Sequence, residues 1–272
     1  MKPSKLLLAA ALAGLALNAY AHKPWLLPSS SLVDAKEPWV TVDAAISEGL
    51  FDIDHVPLKL DAIVVTGPDG ARVDLQNAST GRLRSTFDVK MSKSGTYRIA
   101  MVQQNVSGSY KLNGEMKRFR GTEESLAKDV PADAQELKLT RTASRLETFV
   151  SANATDMAVF KPSGVGLELV PVTHPNDLRA GEKATWRFLL DGKPAANQAF
   201  SLIPGGVKYR GTLGEVRHVT DAKGEITFTL PEANMYLVTS SWPAAAAPVP
   251  GQPPQMPPRR ATYGATVEVL PQ

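Results

Sequence analysis

Ala62-Ile63-Val64-Val65-Thr66-Gly67-Pro68-Asp69-Gly70-Ala71-Arg72-Val73-Asp74-Leu75 decides the fold class of this chain. An apolar, β-branched run meets a Gly-Pro-Asp-Gly turn, and the chain then resumes with apolar and polar residues in alternation. Asp-Gly between such runs is a hairpin signal, because the turn needs residues that tolerate a positive φ. The same rhythm repeats on both sides. Trp39 to Val42 precedes it, and Leu83 to Val89 and Gly95 to Val102 follow. Further along come Ala184 to Leu190, Glu225 to Leu230 after the Asp221-Ala222-Lys223-Gly224 turn, Met235 to Thr239, and Ala265 to Leu270. Short strands at this spacing predict sandwiches or barrels rather than a parallel sheet.

The chain of 272 residues is 43% hydrophobic, which is enough to bury a real core. Residues 1–21 read as a cleaved signal peptide. Lys2 and Lys5 precede an apolar run from Leu6 to Leu17, and Ala19-Tyr20-Ala21 offers small residues at a cleavage site. The run is about 12 residues, short of the roughly 20 needed to cross a bilayer. The expectation is a protein exported to the periplasm, not embedded in a membrane, whose mature first residue is His22. Cysteine is absent, which excludes disulfides and thiolate metal sites. The 30 basic and 27 acidic residues fall to 28 and 27 once Lys2 and Lys5 are removed. That balance excludes an electrostatic footprint for nucleic acid.

The strands divide into two predicted sandwiches, residues 22–165 and 166–272. Thr122 to Glu136 interrupts the first: it reads as a solvated surface insertion on its charge content, with a short helix capped by Thr122 and ended near Pro131 as the alternative. Residues 243–260 are rich in Pro and Ala and read as an extended loop, with a functional lid as the alternative.

Four histidines carry the candidate chemistry. After cleavage, His22 would hold an α-amine and an imidazole on one residue, two nitrogens able to chelate Cu, Ni, Co or Zn. The alternative is the first residue of a frayed tail, although Trp25, Leu26 and Leu27 would hold the terminus to the body. His55 stands in Asp52-Ile53-Asp54-His55-Val56-Pro57, where the two carboxylates can orient a ligating ring or mark an ordinary surface loop. His174, in Thr173-His174-Pro175-Asn176-Asp177, can point into a cleft between domains or serve a junction turn. His218 reads as structural or exposed. The methionines form no Met-x-Met cluster, and no nucleophile elbow, phosphate loop or His-Glu-x-x-His is present, so no catalytic residue is expected.

Several motifs together resemble the DUF4198 family: His22 followed by Trp25-Leu26-Leu27-Pro28-Ser29, Leu50-Phe51-Asp52 with His55, and Leu167 to Pro171 with His174-Pro175-Asn176-Asp177-Leu178. Asp191-Gly192-Lys193-Pro194, Pro204-Gly205-Gly206 with Tyr209-Arg210, Thr220-Asp221 with Gly224, and the ending Glu268 to Gln272 match as well. The resemblance implies an all-β protein of two β-sandwich domains, the second immunoglobulin- or transthyretin-like. It also implies a periplasmic binding protein for nickel or cobalt, with copper or zinc as further options. His22, His55 and His174 would be the metal ligands, and the partners an outer-membrane receptor or an inner-membrane metal transporter. Two other functions compete: a metal-independent partner-binding module, and a copper oxidative enzyme built on the N-terminal histidine.

Overall fold

A computed structural model describes residues 22–244 and 257–272. The signal-peptide expectation, and residues 245–256 of the Pro-rich stretch, lie outside the described residues. No helix among those described is long and apolar enough to cross a membrane.

In chain order the first half holds β1 (Lys23–Pro28), β2 (Leu32–Val33), β3 (Trp39–Ser47), β4 (Val56–Pro57), β5 (Ile63–Thr66), β6 (Arg72–Val73), β7 (Gln76–Thr80) and β8 (Ser85–Lys90). It continues with β9 (Gly95–Leu112), β10 (Glu115–Gly121), α1 (Glu123–Asp129) and β11 (Gln135–Ala152). The second half holds β12 (Leu167–Pro171), β13 (Lys183–Leu190), β14 (Lys193–Pro194), β15 (Ala199–Pro204) and α2 (Val207–Arg210). β16 (Val216–Val219), β17 (Glu225–Thr229), β18 (Asn234–Trp242) and β19 (Arg259–Val269) complete it.

The chain is an all-β protein of stacked sheets. The Gly67 to Gly70 turn closes as the sequence predicts: Gly70 N–H donates to the Gly67 carbonyl, Gly67 N–H to that of Ala71, and Gly70 has a φ of 79°. What the strand rhythm did not contain is the way the two halves share a wall. One long sheet runs β16-β15-β18-β19-β11-β9-β5-β6, with β11 and β19 parallel across the junction. A second sheet, β1-β3-β8-β7, belongs to the first half, and a third, β12-β13-β14 with β17 beside β13, to the second.

Side chains alternate across a strand, so β11 can serve two cores at once. Leu146, Val150 and Ala152 pack with Val42, Phe87, Tyr97 and Ile99 beneath the sheet of the first half. Phe149, one residue away, packs with Trp186, Phe188, Phe200 and Tyr263 in the core of the second half. The two small sheets therefore lie on opposite faces of the shared sheet. A third, smaller cluster joins the halves: Trp25, Ala45 and Leu50 meet Ile203 and Leu237. Within the shared wall Arg145 is buried and donates to Glu168 at 2.8 Å, and Tyr263 donates to the buried Glu147 at 2.8 Å. Loss of water pushes the Glu147 carboxyl upward against the pull of Arg145, and pushes the Tyr263 hydroxyl well up.

The insertion at 122–136 contains the helix given as the alternative reading. Thr122 caps α1 by accepting from the Ser125 amide, and the Ser125 hydroxyl accepts from the Thr122 amide in return. The helix ends at Asp129, with Val130 as its C-cap just before Pro131. None of its residues is buried, so the solvated-insertion reading describes its exposure and the cap its local form.

Candidate metal centre

Trp25, three residues beyond His22, anchors the start of β1 to the body of the protein. It is 0% exposed, and its indole N–H donates to Ser47 Oγ at 2.7 Å. Ser47 in turn donates to the Gly49 carbonyl at 2.6 Å, which ties β1 to the turn after β3. Burying a side chain of this size contributes roughly 2–3 kcal/mol. The β1–β3 register sets Lys23 opposite Ser47, so His22 emerges beside Glu48, and His22 Nε2 lies 3.3 Å from Glu48 Oε1.

The loop from Glu48 to His55 brings the second ring back. Asp54 accepts from the amides of Glu48 and Gly49, each at 3.0 Å, and so closes the loop on itself. Asp52 reaches across to Lys208 of α2 at 2.7 Å, raising the pKa of that ammonium. Phe51 takes a φ of 62° and stands edge-on to Trp25, with ring centroids 5.8 Å apart. The loop is thus fixed to both halves of the molecule. His55, 33 positions beyond His22, ends with its ring stacked on that of His22, centroids 3.9 Å apart and planes within 5°. The carboxylates next to His55 act on the loop backbone and on Lys208. Glu48 is the acid that touches the pair, and sequence reading missed it because only the strand register places it there.

The donor set suits a divalent transition metal: two imidazoles, one carboxylate and, in a chain that begins at His22, an α-amine. The stacked geometry is not itself a coordination geometry. A ligating nitrogen directs its lone pair in the ring plane, and two parallel planes share no point. Both rings are exposed, so each side chain has room to change rotamer. Among the described residues, no three His, Asp or Glu side chains already surround a common point.

His174 does not join this pair. It is 5% exposed and lies against Phe160, ring centroids 5.4 Å apart. Its Nδ1 accepts from the Asn176 amide at 3.0 Å. Its Nε2 lies 3.1 Å from the Asp156 carbonyl and 3.0 Å from Thr96 Oγ1, and a carbonyl only accepts, so Nε2 carries the proton. Both nitrogens already serve the protein, and burial lowers the pKa of the ring. The expected three-histidine set is thus two histidines in the structure, because the third holds the 3-10 turn Pro175–Asp177 against β9 and the segment around Asp156. His218 on β16 is half-buried near Phe228, with its pKa lowered by desolvation.

A family model described as "Domain of unknown function (DUF4198)" matches residues 19–244. No curated protein matches the chain at a significant level. Among solved structures, the D0–D1 domain of intimin is 13% identical with a TM-score of 0.23, covering 90% of this chain and 97% of that one. Salmonella alpha-2-macroglobulin reacted with methylamine is 12% identical with a TM-score of 0.23, covering 93% of this chain and 15% of that one. A DUF4785 family protein of Legionella pneumophila is 10% identical with a TM-score of 0.22, covering 79% and 50%. Likeness this low carries no argument about function.

Proposed function

We propose, from the premise that the chain belongs to the DUF4198 family, that it is an exported, periplasmic binding protein for a divalent transition metal rather than an enzyme. Nickel or cobalt follows from the family resemblance; copper or zinc is equally compatible with nitrogen donors. The observation that carries the reading is the pairing of His22 with His55, 3.9 Å apart, with Glu48 alongside. Removal of residues 1–21 would convert the His22 nitrogen from an amide into an amine and supply a further donor. An outer-membrane receptor or inner-membrane transporter would then exchange the ion with an exposed site.

The test is isothermal titration of the chain beginning at His22 with nickel, cobalt, copper and zinc, beside a form carrying one extra residue before His22. One-to-one binding that weakens at least tenfold in the extended form supports the chelate. Binding indifferent to the extension removes the His22 α-amine from the site, and absence of binding removes the metal altogether and leaves a metal-independent partner-binding module.

A further inference from the structure

β9 and β11 are each 18 residues long, about 60 Å of extended chain, and only part of each lies in the body of the molecule. Residues 106–112 of β9 pair with β10 and with the first part of β11, and form a three-stranded arm. One face of the arm is covered. Phe119 lies opposite Gly108, Leu139 faces the same glycine from the other side, Val106 and Tyr110 are buried, and α1 packs above.

The other face is basic, and it is open except at Thr140, which is 5% exposed and donates to the Pro257 carbonyl at 2.8 Å. Residues paired across strands share a face, so Arg118, Ser109 and Lys138 form one row, Arg120, Ser107 and Thr140 the next, and Met116, Lys111 and Gln135 the row at the arm's end. Small serines on the middle strand leave the long basic side chains unobstructed on either side. Glu123 pairs with Arg141 and Glu124 with Lys128, away from the grid, while Glu136 pairs with Lys111 in its last row. Among the described residues no ion pair or side-chain hydrogen bond engages Arg118, Arg120 or Lys138. In the last row of this grid one large apolar side chain stands in water, Met116 at 57% exposure.

The geometry points to a docking face for an anionic phospholipid surface. A pocket for one small anion gathers its cations around a point. Here they are spread over a flat face, Arg118 and Lys138 about 10 Å apart across three strands and Arg118 and Arg120 about 7 Å apart along one. That spacing matches a plane of separate phosphates. An exposed apolar side chain next to the cations is what an interfacial element inserts below the headgroups. Each basic residue near such a surface contributes about fivefold in affinity at moderate salt.

The test is vesicle sedimentation of the chain from His22 onward, so that the apolar leader cannot itself insert. Vesicles contain either phosphatidylcholine alone or about one part phosphatidylglycerol to two of phosphatidylcholine. We expect binding to the anionic vesicles only, lost at about 0.5 M salt. Arg118→Ser, Arg120→Ser and Lys138→Ser together should weaken it about a hundredfold. These residues are exposed, so the melting temperature should stay unchanged, and Met116→Ser should weaken binding while preserving its salt dependence. Equal binding to both vesicle types, equal binding by the triple variant, or full competition by millimolar inorganic phosphate would each overturn the proposal.

Discussion

Replacing His174 with leucine separates the two roles that sequence allowed it. The substitution preserves bulk against Phe160 but leaves the Asn176 amide without its acceptor and the Asp156 carbonyl without its imidazole donor. A buried polar group left unpaired costs about 1–3 kcal/mol, so the pair should cost about 3 kcal/mol. For a chain of this size 1 kcal/mol moves the melting temperature by roughly 2–4 °C, so the variant should melt about 10 °C lower at neutral pH. The dependence on pH comes from the same burial. The folded ring has a lowered pKa, so below about pH 6.5 the unfolded imidazole takes up a proton that the folded one resists. The parent should lose stability as the pH falls through that point, while the leucine variant lacks this component, and the gap between them should narrow toward pH 5. Thermal melts at pH 7.5 and 5 measure both effects, and nickel titration of the same samples should show unchanged affinity. An unaltered melting temperature together with a tenfold loss of metal affinity would refute the assignment of His174 to the scaffold.

Three further outcomes are expected. His55→Ala should lower metal affinity at least tenfold with little change in stability, since the ring is exposed; equal affinity in the parent and the variant would exclude His55. Asp54→Ala removes the acceptor of two loop amides, so metal binding should weaken although Asp54 touches neither ring, and hydrogen exchange at Glu48 and Gly49 should quicken. Gly224→Ala should destabilise by at least about 2 kcal/mol, because φ is 75° and a new Cβ would lie 2.4 Å from the Phe188 carbonyl oxygen; an unchanged denaturation midpoint would contradict the tight approach of that turn to β13 and Ala195.

How far the sequence could be read depended on the range of the interactions. The all-β class and the turns at Gly67 to Gly70 and Asp221 to Gly224 rest on residues a few positions apart, and the structure places each where the sequence does; the cap at Thr122, the alternative reading of its stretch, is equally local. The division near residue 165 marks a change of sheet, but the separation it suggested is absent: β11 presents Phe149 to one core and Val150 to the other. No periodicity can express that, because a strand buried on both faces loses its alternation whichever partners cover it.

The candidate site divides in the same way. That histidine could bind metal, and that His22 would gain an amine on cleavage, are properties of single residues and were legible at once. Tertiary structure decided which histidines meet. The β1–β3 register and the clamp by Asp54 bring together rings 33 positions apart, while two hydrogen-bonding nitrogens and burial commit His174 to the scaffold. The sequence determined which groups were available as ligands; only strand pairing, an interaction between distant residues, determined their distances.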